Sequence, residues 1–197
     1  SLILLGAIYE ADQEHAPALA VYKHALALDS MRSDVCVRLG MCCLELGQPE
    51  AAIAAIKDAA ERDLDNFALQ KVMGNAYAAA HLWVEAMLAY EQASRLAPDD
   101  HALLRTLAHT ARQAGEPGRA IETLQKAVAL APNNIEYLND LGEVFISQGK
   151  LIEAKAIYNE ACTLMAHQPA LWMGLGQVHL MLNEIPEAAI AFDNAAE

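Results

Sequence analysis

Positive charge is scarce in this chain. Its 13 Lys and Arg face 26 Asp and Glu, a formal net charge of −13. That balance argues against a general affinity for nucleic acid, whose phosphates need a surplus of cations, and against anionic membrane surfaces. Long hydrophobic runs are missing as well. Nothing approaches the roughly 18 to 20 uninterrupted apolar residues of a bilayer-spanning helix, so no membrane insertion is expected. The apolar opening SLILLGAI has no Lys or Arg before it and no small-x-small cleavage site, and it reads as a cut end inside a helix.

Cysteines number four, Cys36, Cys42, Cys43 and Cys162, none spaced as C-x-x-C, and no Asn-x-Ser/Thr sequon occurs. This leans towards a reducing cytoplasm, with a periplasmic setting as the alternative. On a helix, adjacent Cys42 and Cys43 would point about 100° apart, a poor geometry for a disulfide. Buried thiols acting as small hydrophobes are expected.

Groups that could do chemistry are equally sparse. The seven histidines, His15, His24, His81, His101, His109, His167 and His179, include no pair four apart and no H-E-x-x-H, so neither a metal nor a cofactor is expected. A GLG at Gly174 to Gly176 is a fragment of a dinucleotide fingerprint, but it falls mid-helix with no strand before it. No nucleophile-base pair stands out, no catalytic residue is assigned, and the chain is expected not to be an enzyme.

Apolar residues, by contrast, make up 55% of the chain, ample for a core. The chain also repeats itself. GQPEAAIAAI, Gly47 to Ile56, returns as GEPGRAIETL, Gly115 to Leu124, sixty-eight residues later. In rows of 34, one column reads Gly6, Gly40, Gly74, Ala108, Gly142, Gly176; a second reads Ala18, Ala52, Ala86, Ala120, Ala154, Ala188; a third reads Ala25, Ala59, Ala93, Ala127, Ala161, Ala195. Each row splits into two helical stretches of about a dozen residues. Pro98 and Pro132 cannot continue a helix, and the Asp or Asn after them can cap the next one. Gly47, Gly115 and Gly149 suit the turn inside each pair, where a positive φ costs glycine least. Small residues at fixed places imply close helix-helix approach.

These columns resemble the tetratricopeptide repeat family, whose loose pattern is Trp-x2-Leu-Gly-x2-Tyr followed by Ala, an aromatic, Ala and Pro. Trp172, Leu175 and Gly176 carry it, as do Gly74 with Tyr77, and Ala86, Tyr90, Ala93 and Pro98. The row with Ala108 and Ala111 departs most, yet Gly115, Ala120, Ala127 and Pro132 keep its spacing. The resemblance covers the chain. It implies an all-α, right-handed superhelical solenoid of antiparallel helix pairs, about six 34-residue units with the first and last truncated. The rows run 1–32, 33–66, 67–100, 101–134, 135–168 and 169–197, as one array. The chain starts at the third place of a row and stops at the twenty-ninth, so a segment of a longer array is expected, with self-association through uncapped ends as the alternative.

Tyr9, Tyr22, Tyr77, Tyr90, Phe145, Tyr158, Trp172 and Phe192 fall in core columns. Trp83 does not, and either staples its turn or faces a partner. In an open stack the first helices line the concave side, and the places free of core columns there differ by row. They include Asp34, Arg38, Met41 and Glu45; Lys71, Asn75 and Ala79; Arg105, His109 and Arg112; Glu136, Asn139, Asp140 and Glu143; and Met173, Gln177, Leu180 and Met181. The expected role is an interaction scaffold binding a protein or peptide segment in this groove. Arg38, Lys71, Arg105 and Arg112 beside the acidic fifth row suggest a partner with an acidic stretch. The alternatives are the recognition arm of a larger enzyme or of an envelope-export assembly, and a secretion chaperone. Some members of the family carry a clamp for chaperone C-terminal carboxylates. Lys71 and Asn75 fit its first half, but Thr106, Glu136 and Asp140 stand where its Asn, Lys and Arg should be, which argues against that ligand.

Overall fold

The structure is a computed structural model describing residues 1–196. Among them the repeat resolves into twelve helices and no strand. In chain order they are α1 (Leu2–Ala11), α2 (His15–Leu28), α3 (Ser33–Glu45), α4 (Pro49–Arg62), α5 (Phe67–Ala79), α6 (Trp83–Leu96), α7 (His101–Gln113), α8 (Pro117–Leu130), α9 (Ile135–Ser147), α10 (Leu151–Leu164), α11 (Pro169–Met181) and α12 (Ile185–Ala196). From α3 onward every first helix begins on the first residue of its row. The chain forms two compact units, Ser1–Pro98 and Asp99–Glu197, each holding three helix pairs.

The breaks follow the side chains. Asn66, Asp100 and Asn134 accept hydrogen bonds from the amides of Leu69, Leu103 and Tyr137 at 3.0–3.2 Å, capping α5, α7 and α9. Inside each pair the turn needs one left-handed residue. Gly47, Gly115 and Gly149 supply it at φ of 67°, 78° and 67°, as expected from sequence. The same column in the other three rows holds Gln13, His81 and Asn183 at φ 58–62°. There the bonds that close the turn outweigh the roughly 1–2 kcal/mol that a Cβ costs in this region. Around His81 they run from its amide to Ala78 O at 3.0 Å and from the Leu82 amide to Tyr77 O at 2.9 Å. Trp83 is half-buried, its ring edge-on to His81 with centroids 5.3 Å apart, which fits a staple on this turn.

Packing explains the glycine column. A Cβ on Gly6, Gly74 or Gly176 would sit 2.4–2.6 Å from the ring of Tyr22, Tyr90 or Phe192, sixteen residues ahead in the second helix of the same pair. Gly142 and Gly174 clasp Tyr158 between them; a Cβ on either would lie 2.4 Å from its Cζ. The GLG motif thus has one glycine facing Tyr158 and the other facing Phe192. Two rows lack the ring: Gly40 faces Ile56, and Ala108, in the glycine's place, faces Leu124, with both Ala108 and Leu124 fully buried. Of the aromatics expected in the core, Tyr22, Tyr90, Phe145 and Tyr158 are buried, while Tyr9, Tyr77, Trp172 and Phe192 are half-buried.

In the first unit α2 packs on α3 and α4 on α5, and α3 also meets α5 directly. In the second unit α8 packs on α9, α10 on α11, and α9 meets α11. Among the described residues, second helices of one unit do not pack on one another in this way. The first helices therefore line the inner side of each unit.

Candidate functional site

Along α3, Asp34, Arg38, Met41 and Glu45 recur at intervals of three and four residues and so share one face. That face floors a groove of about 670 Å³ in the first unit, walled by Glu10 at the end of α1, His15 at the start of α2, and Asn66 and Ala68 at the start of α5. Val37 and Cys42 add apolar lining, and Met41 stands 48% exposed within it. All four residues read from sequence as inner-facing in this row line the groove together.

Glu10, which the sequence reading did not single out, organises one wall. Its carboxylate accepts from Tyr22 OH at 2.9 Å, from Arg38 Nη1 at 2.6 Å and from Cys42 Sγ at 3.5 Å. Burial, reinforced by the Glu10 carboxylate, pushes the Tyr22 phenol up to about 12. Burial and the negative charge of Glu10 do the same to the Cys42 thiol, also to about 12. Both remain protonated donors at neutral pH, and Cys42 is no nucleophile. The one guanidinium in the groove is thus tied to a carboxylate. Asp34 is bound by Arg32 at 2.6 Å in an exposed pair at the rim, which holds its carboxyl below the usual range. Glu45 is exposed and makes no ion pair among the described residues. His15 Nδ1 is buried with no hydrogen-bond partner among the described residues.

The inner residues of the later rows are also engaged. In the first unit, Lys71 lies with Nζ 5.5 Å from the Phe67 ring centroid, and Asn75 accepts from Tyr90 OH at 2.7 Å. In the second unit, Arg105 reaches Asp140 at 2.6 Å and also Glu136, and Arg112 reaches Glu143 at 3.6 Å. Asn139 accepts from Tyr158 OH at 3.2 Å and donates to Glu143 at 3.1 Å. His109, Gln177, Met173, Leu180 and Met181 are exposed. The arginines that suggested an acidic partner are therefore each neutralised by a carboxylate of a neighbouring first helix, and an acidic segment would have to displace it. The three tyrosines that fill the glycine column, Tyr22, Tyr90 and Tyr158, pass through the pair and end on inner-face residues. Glu10, Asn75 and Asn139 are held by the core beneath them.

No group of three or more His, Cys, Asp or Glu among the described residues could hold a metal ion. No helix among them is long and apolar enough to cross a membrane.

Models of the tetratricopeptide repeat match residues 9–76, 101–144 and 135–165. The BBSome complex member BBS4 of Bos taurus is 26% identical over 177 residues, 89% of this chain and 32% of that protein. The human protein O-mannosyl-transferase TMTC1 is 25% identical over 187 residues, 93% of this chain and 21% of that protein. The chain thus spans a third or less of the length of these curated relatives. Among solved structures, YrrB, described as a TPR protein with an unusual peptide-binding site, superposes with a TM-score of 0.71 at 20% identity, covering 88% of this chain and 90% of its own. Such repeat proteins serve in general as protein-protein interaction scaffolds. Period, helix pairs and family matches agree, and the chain belongs to the tetratricopeptide repeat family.

Proposed function

We propose that the chain is a non-catalytic scaffold that takes a protein segment into the groove floored by α3. The observation that carries this reading is the groove itself: apolar side chains of Val37 and Met41 are displayed between first helices, and the charged neighbour Arg38 is held still by Glu10. A concave, partly apolar surface with a few fixed polar groups is what segment recognition requires. The peptide-binding site named for YrrB, a protein of the same fold, supports the reading as an analogy. Because the chain matches only part of each curated relative, one of them a transferase, a recognition arm within a longer protein is the second reading. The four free and buried thiols are consistent with a cytoplasmic setting.

A photo-crosslinking residue placed at Met41 in the groove, and separately at exposed Glu50 on α4, tests the assignment. Partner proteins from cell extract should crosslink at position 41 and not at position 50. Equal yields at the two positions, or crosslinks at position 50 alone, would remove the groove from consideration.

A further inference from the structure

Resting on that groove reading, we infer that the segment it takes is extended and cationic, with an aliphatic residue and a Lys or Arg at positions i and i+2. The charge argument comes first. Three carboxylates, Glu10, Asp34 and Glu45, line the groove against one guanidinium, Arg38, and that guanidinium is consumed by Glu10 at 2.6 Å. Asp34 shares its charge with Arg32 at the rim. Glu45 has no partner among the described residues, so its carboxylate is the open electrostatic position of the site.

Spacing sets the motif. Met41 and Glu45 are four residues apart on α3, one turn, which places them about 6 Å from each other along the helix axis. An extended chain advances about 3.3 Å per residue and points every second side chain the same way, so residues i and i+2 are about 6.6 Å apart on one side. An aliphatic side chain seated on Met41 and Val37 therefore brings the side chain two residues away over Glu45. Burial around Met41 supplies contact area, and the cation at Glu45 supplies register and rejects acidic competitors. The overall charge of −13 favours encounter with a basic segment.

Panning a phage-displayed library of random octapeptides against the intact chain tests this directly. Enriched peptides should carry an aliphatic residue two places from Lys or Arg. Synthetic versions should lose at least tenfold in affinity by fluorescence anisotropy when Glu45→Lys replaces the wild type, and less when Glu45→Gln does. Glu45 is exposed, so both variants should keep the wild-type helical circular dichroism. Acidic or uncharged winners whose binding is lost in Met41→Arg would overturn the cationic inference and leave the groove standing. Winners that ignore substitutions at both Met41 and Glu45, or the absence of any winner, would overturn the inference, and the crosslinking contrast above then judges the groove separately.

Discussion

Gly142→Ala should destabilise the protein although alanine is the better helix former. In an unhindered helix the exchange is favourable by about 1 kcal/mol. Here the new methyl would lie 2.4 Å from Tyr158 Cζ and 2.5 Å from Cε2, far inside contact distance. Tyr158 has little room to swing away, because Gly174 flanks it on the other side, where even an added Cβ would lie 2.5 Å from Cε1. Overpacking of a closed core site costs about 1–3 kcal/mol, and a ring clasped from two sides belongs at the upper end, so the net loss should be about 1–2 kcal/mol. The row with Ala108 and Leu124 provides the control, since that alanine is accommodated opposite a leucine. Gly142→Ala combined with Tyr158→Leu should therefore cost at least about 1 kcal/mol less than the sum of the two single changes. Urea titrations followed by circular dichroism at equal protein concentration would give the cycle, with the slopes compared because repeat arrays can unfold in parts. A Gly142→Ala midpoint at or above wild type, or a cycle additive within about 0.5 kcal/mol, would refute the reasoning.

The turn column makes the opposite prediction for glycine: His81→Gly, and separately Gln13→Gly, should stabilise by up to about 1 kcal/mol in the same titration, since both relieve a left-handed Cβ. His81→Gly is the weaker case, because it also removes the ring contact with Trp83. Ala154→Leu, in the alanine column that is fully buried, should overpack the helix contact by about 1–3 kcal/mol and lower the urea midpoint. Alkaline pH should also unfold the chain. Tyr22 and Tyr90 ionise near 10.0 when unfolded and at about 12 when folded, burial being the first cause in both. A folded value above the unfolded one means that their contribution is whole below pH 10 and is lost as pH rises towards 12. Tyrosinate absorbance should thus rise together with loss of helix, and titration of all six tyrosines near pH 10 with the helices intact would contradict it.

Much of the fold was legible because a 34-residue period superimposes equivalent places, and small residues mark where backbones meet. The glycine column announced the close approach, although the rings it faces became visible only once the helix pairs were in place. The turns were read at Gly47, Gly115 and Gly149 and missed at Gln13, His81 and Asn183, since no side chain there advertises a left-handed backbone. At the site, the row of Asp34, Arg38, Met41 and Glu45 was found from helical spacing alone. The pairing of its charges was not. Arg38 meets Glu10 twenty-eight residues back, and Arg105 meets Glu136 and Asp140 thirty-one and thirty-five residues ahead. Pairing separations close to the repeat length are the signal that could have exposed these partners. Tyr137, buried with its hydroxyl 2.7 Å from His101 Nδ1, lay outside the aromatic columns and was overlooked for that reason.

The arginine links along the inner side of the second unit have a mechanical consequence. Arg105 ties α7 to α9, and Arg112 ties α7 to α9 again nearly two turns further on. These ties are half-exposed and individually weak, so dissolved electrolyte slackens them within the normal range of cellular ionic strength. The unit then behaves as a leaf spring whose inner-edge stiffness is tuned by its bathing medium.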